Sequence, residues 1–117
     1  MQSDPALLAP RQVRVVLENE SVRVLRVRLA PGDKVPLHSH PGVVGVFVST
    51  GRVRNSAPGR GPDDLEARPG EVFWSAPVTH TTDNIGSEHV EMVLVELKRS
   101  PPRVKGESAI QELPGPR

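Results

Sequence analysis

The sequence contains no cysteine and no tyrosine. Without cysteine there is no disulfide framework and no thiolate metal site, which fits a reducing compartment. Aromatic side chains are reduced to Phe47, Phe73 and Trp74, too few to offer a platform for stacking bases or sugar rings. An excess of charge is missing too: the formal net charge is +1, whereas nucleic-acid binders carry a clear basic surplus. No apolar run approaches the roughly 20 residues of a membrane-spanning helix. The opening MQSDPALLAP has no basic segment followed by an apolar one, so no signal peptide is expected. These absences lead us to expect a soluble cytoplasmic protein that binds neither nucleic acid nor membrane.

What is present is a succession of short β-branched runs. A chain of 117 residues is one domain's worth of sequence. In the stretch from Val22 to Leu29, Arg23, Leu25, Val27 and Leu29 fall on one face and Val22, Val24 and Arg26 on the other, the period of a strand. Further strand-like runs begin at Gln12, Lys34, Val43, Arg52, Leu65, Glu71, Val78 and His89. Gly/Pro punctuation at Ala30–Asp33, Ser56–Asp64, Pro69–Gly70 and Gly86–Ser87 marks the turns. Many short strands with such turns specify an all-β sandwich or barrel. Residues 1–11 read as an N-terminal arm, 12–99 as the domain, and 100–117 as a Pro-rich tail in which 107–113 is expected to form one helical turn.

Of the four histidines, two form His38-Ser39-His40. On a strand, residues i and i+2 point to the same face about 7 Å apart, so two imidazoles can converge on one ion at about 2.0–2.1 Å per bond. A solvated edge strand explains an isolated H-x-H pair equally well. A third ligand must come from another strand, and His80 stands in one. Thr82 and Asn84 share the face of His80, and Asp83 points away. If the strand after His40 continues in phase, Val44, Val46 and Val48 face inward with the ligands, and Phe47 faces outward toward a sheet edge or a partner subunit. Trp74 is a candidate for the pocket wall. His89 reads as surface, although it or Glu91 is a conceivable fourth ligand; Glu91 and Glu96 fall on opposite faces, so one of them looks inward. Arg23, Arg26, Arg28, Arg52 and Arg54 are candidate carboxylate clamps, most of them on solvated faces.

The segment from Gly32 through His38, His40 and Val44 to Gly51 resembles the first cupin motif, matching the glycines and histidines at the motif's spacing, with Val44 where a glutamate is usual. The segment from Gly70 through His80 to Asn84 resembles the second, with Ser75-Ala76-Pro77 replacing the usual Pro-x-Gly turn. The resemblance implies a cupin double-stranded β-helix, a jelly-roll barrel, that pairs as a homodimer. It implies one divalent metal ion held by His38, His40 and His80: iron first, with zinc, nickel or manganese as alternatives. Lacking the glutamate, the site resembles that of the three-histidine iron dioxygenases among cupins, such as those that cleave β-diketones. Cysteine dioxygenases are a poorer match, because they commonly place a tyrosine near the iron. The leading expectation is an oxygenase acting on a small anionic substrate. A non-oxidative isomerase or lyase and a ligand-binding sensor compete with it, and no acid–base pair marks a catalytic residue.

Overall fold

A computed structural model describes residues 3–98 of the chain; the expected tail, with its helical turn at 107–113, lies outside the described residues. One short helix, α1 (Pro5–Leu8), precedes nine strands: β1 (Val13–Glu18), β2 (Val22–Leu29), β3 (Lys34–His40), β4 (Val43–Phe47), β5 (Gly51–Ser56), β6 (Asp63–Ala67), β7 (Val72–Ser75), β8 (Val78–Asn84) and β9 (Val90–Leu97). They form two antiparallel sheets, one of five strands in the order β1-β2-β9-β4-β7 and one of four in the order β3-β8-β5-β6. This is the all-β, double-sheet architecture expected from the alternating pattern.

The alternation sorts side chains directly. On β2, Leu25, Val27 and Leu29 are buried while Arg26 and Arg28 are exposed; on β9, Val90, Met92 and Leu94 are buried. With Val43 and Phe47 from β4, Val35 from β3 and Val53 from β5, they make the core between the sheets. Three motif positions serve the backbone. Gly32 and Gly70 each take φ of 84° at a turn, a conformation open to glycine at little cost. Asn84 is buried, and its amide donates to the carbonyls of Leu29 and Glu88 (2.9 and 2.8 Å), while its oxygen accepts from Gly86 N–H. It staples the loop between β8 and β9 to the end of β2.

Two expectations are corrected here. Phe47 does not face outward: it is buried, with its ring centroid 5.1 Å from that of Phe73. Val44 and Val48 are 40% and 48% exposed, and Val46 shares their outward face. The reason is that β3 and β4 belong to opposite sheets. The chain crosses between them at Pro41–Gly42, so the inward phase starts afresh at Val43 instead of continuing from His40. The N-terminal arm also has more structure than expected. Asp4 caps α1 by accepting from Ala6 N–H, and Pro5 and Ala9 are buried.

Candidate metal centre

The three histidines come from two adjacent strands. Pro36 has no N–H to give to a ladder, and β3 is irregular there. Val35 pairs with Thr82, and the next partners are His38 and His80. The strand thus carries one residue more than its neighbour, a β-bulge. The bulge turns Leu37 out to solvent, where it is 48% exposed, and leaves Val35 and His38 both buried on the inner face although they lie three apart. Strict alternation would have pointed His38 outward. His40 follows two residues later, and His80 stands directly across the ladder from His38.

The rings form a tight triangle. Centroids of His38 and His40, and of His38 and His80, are 4.7 Å apart; those of His40 and His80 are 5.5 Å apart. One nitrogen from each ring lies within 4.8 Å of the others. His38 Nδ1 is 2.7 Å from the carbonyl oxygen of Pro36, and His40 Nδ1 is 2.7 Å from Glu96 Oε2. Carbonyl and carboxylate oxygens only accept, so each Nδ1 carries a proton and Nε2 is the nitrogen of each ring left to meet an ion. Burial, outweighing the Pro36 hydrogen bond, pushes His38 down to about 4; burial and the neighbouring imidazoles do the same for His80. Both rings are therefore neutral at pH 7. Three clustered imidazoles, two of them oriented by a hydrogen bond at Nδ1, are a donor set that fits a divalent transition metal.

Glu96 is the carboxylate behind the site. Its side chain is 4% exposed, and it accepts from both His40 Nδ1 and Arg23 Nε, the latter at 2.9 Å. Burial disfavours its charge, but the hydrogen bonds from His40 and Arg23 outweigh that and hold its pKa below the ordinary carboxylate value. Glu96 bonds to His40 Nδ1 and stands outside the cluster of His38, His40 and His80, so it supports a ligand and is not one. Its inward direction is legible from its phase with Met92 and Leu94; its partner is not.

The rings line a cavity of about 890 Å³ with apolar walls that include Val27, Val35, Val53, Met92 and Leu94. Thr82 is among its lining residues, buried and donating to Asn55 Oδ1 at 2.8 Å. Trp74 is among its lining residues and is 59% exposed. Val44, Val46 and Val48 do not line it. No carboxylate replaces the glutamate of the usual motif on β4. The inward position there is Gly45, and a Cβ on it would collide with Phe73 Cζ, so the Phe73 ring fills that space. Glu91 lies on the outer face beside Arg26 and Arg28 (3.5 and 3.8 Å), and His89 is exposed, so neither is a fourth ligand. Exposed Arg60, Asp63, Glu66 and Glu71 surround the cavity's mouth. Arg60 and Pro5 were not foreseen, since a loop residue and an arm residue carry no periodic signal.

No family model matches the sequence, and no curated protein matches it significantly. Solved structures do. A cupin domain from Bordetella pertussis Tohama I superposes with a TM-score of 0.69 at 23% identity, over 85% of this chain and 99% of that one. An RmlC-like cupin family protein with a double-stranded β-helix fold from Methanocaldococcus jannaschii gives 0.61 at 18% identity, over 73% and 77%. An uncharacterised conserved protein with a double-stranded β-helix domain from Klebsiella pneumoniae gives 0.59 at 22%, over 76% and 79%.

Proposed function

We propose that this cupin-fold chain is a three-histidine, metal-dependent oxygenase acting on a compact substrate with one ionisable head group. The observation that carries the reading is the pair of Nδ1–H bonds, from His38 to Pro36 and from His40 to Glu96, which leave the Nε2 atoms of both rings as the ligating nitrogens, clustered with His80 in an apolar cavity. His38, His40 and His80 would hold the ion; bound iron(II) would supply Lewis acidity and a place for O₂. The valines, Met92 and Leu94 exclude water from the reacting groups and select an apolar body. Thr82, tied to Asn55, offers a polar contact on the same wall. At the mouth, Asp63, Glu66 and Glu71 outnumber Arg60, which repels polyanions and favours a monoanion or a neutral molecule that ionises once bound. An enolisable dicarbonyl fits that description.

The test is metal content by mass spectrometry on untagged wild type and His40→Ala, followed by oxygen uptake of the iron-loaded protein with dicarbonyls, thiols and aromatic acids. About one ion per chain, lost in the variant, with O₂ consumed by one substrate class, is the expected result. Metal uptake with zinc and no oxygen consumption across the panel would favour the isomerase, lyase or sensor readings. No metal after reconstitution with each of iron, zinc, nickel and manganese would defeat the site.

The same reading includes a homodimer. Across all five strands of the larger sheet, Leu17, Val24, Val95, Val44 and Trp74 stand in one outward row. Val93, Val46 and Val72 form part of the next row. The outer face of an antiparallel sheet is ordinarily polar, and an apolar one of this extent marks an interaction surface.

A further inference from the structure

We propose that the N-terminal arm is a working part of the metal centre, with Asp4, Arg23 and Glu96 acting as positioning residues for His40. The inference rests on the metal-site reading and extends it to residues outside the ligand set. Four side chains form an unbroken chain of charge-assisted bonds. Asp4 accepts two from Arg23 (Nη1 to Oδ2 and Nη2 to Oδ1, both 2.9 Å), Arg23 Nε gives a third to Glu96 Oε1 at 2.9 Å, and Glu96 Oε2 accepts from His40 Nδ1–H at 2.7 Å. The geometry at Arg23 is a bidentate fork on one carboxylate and a single bond on another, which fixes the guanidinium plane. The network is also shielded: Arg23 is 17% exposed, Asp4 28%, Glu96 4% and His40 7%.

A second contact ties the arm to the same strand. β3 is an edge of its sheet, so outward N–H groups on it have no strand to pair with. Ser39 N–H, between the two ligands, donates to the carbonyl of Ser3 at 2.9 Å. Pro5, next to Asp4, is buried and lines the cavity. The arm therefore grips the ligand strand at its backbone through Ser3 and at its side chain through Asp4, Arg23 and Glu96. Charges along the network alternate, and Asp4, Arg23 and Glu96 together leave one net negative charge beside His40. That charge makes the ring a better donor to a cation. It supplies at one remove what the absent glutamate ligand would have supplied directly.

The experiment uses the full chain and three readouts, two of which need no metal. Long-range ¹⁵N correlation spectra at neutral pH report which nitrogen of each histidine is protonated, and amide exchange reports the Ser39 N–H. Co²⁺ titration, followed by its visible absorption, reports affinity. Glu96→Ala is expected to move His40 away from the Nδ1–H form while His38 keeps it, and to weaken Co²⁺ binding by about 10- to 100-fold. Glu96→Gln keeps the volume and an acceptor oxygen; it should fold, hold the tautomer and still lose affinity through the missing charge. Asp4→Asn is expected to speed Ser39 exchange and weaken Co²⁺ severalfold. An unchanged His40 tautomer in Glu96→Ala, or wild-type affinity in both Glu96→Gln and Asp4→Asn, would overturn the relay. Failure of wild type to bind Co²⁺ would instead overturn the metal reading, with the tautomer and exchange results still deciding whether the arm positions His40.

Discussion

His38 and His80 show what burial does to a titratable ring. Both are held neutral down to about 4, chiefly by desolvation, against an ordinary value near 6.5. In the unfolded chain the same rings take up protons near pH 6.5. As pH falls from 6.5 toward 4, the unfolded state therefore binds more protons than the folded one, and stability drops with pH. The metal-free protein should lose on the order of 3 kcal/mol over that window from the buried His38, and less from the half-buried His80. Urea melts in the presence of a chelator at pH 7.0, 6.0, 5.0 and 4.5 would show it. A flat midpoint across those values would mean that the rings are not shielded from water.

At the scale of elements, β4 and β7 show how a missing side chain shapes the site. Gly45 pairs with Phe73, and the Phe73 ring occupies the place where a Cβ on Gly45 would project. In a strand, glycine to alanine usually gains stability, since glycine costs about 0.5–1 kcal/mol there. Here Gly45→Ala should instead destabilise by roughly 1–3 kcal/mol, because the ring must shift into the Phe47 contact. A stabilised Gly45→Ala in equilibrium unfolding would contradict the packing. The bulge at Pro36 has the same kind of consequence: one extra residue in β3 decides that His38 looks into the cavity and Leu37 into solvent. The H-x-H spacing brings His38 and His40 to one face, but which face depends on that bulge, and a bulge leaves no period to read.

For the molecule as a whole, the apolar rows on the outer face of the five-stranded sheet are the feature that the described residues leave uncovered. Trp74 at 59% exposure, Leu17 at 52% and Val44 at 40% share one row on it. Light scattering coupled to gel filtration should return a dimer mass for wild type and a monomer mass for the double variant Val44→Lys, Trp74→Glu. Metal content per chain should be unchanged, since neither side chain is a ligand. A monomeric wild type at tens of micromolar would remove the homodimer from the functional reading. Among the described residues, no helix is long and apolar enough to cross a membrane.

Local chemistry written into the sequence by itself determined the strands, the turns at Gly32 and Gly70, and the common face of His38 and His40; the addition of His80 to them came from the resemblance to the cupin motifs. Alternation, backbone conformation and residue spacing act over a few positions, and they are visible without the rest of the chain. Only the tertiary structure decided which carboxylate serves the site and which valines line the cavity. Glu96 is 56 residues from His40 in sequence, and Asp4 is 19 from Arg23; the facing of the two sheets brings the first pair, and the docking of the arm the second, to hydrogen-bonding distance. Val44 and Phe47 exchange their expected faces because the chain changes sheets at Pro41–Gly42. A period of two carries no memory across such a crossing, and so the inside of the barrel is defined by the two sheets together.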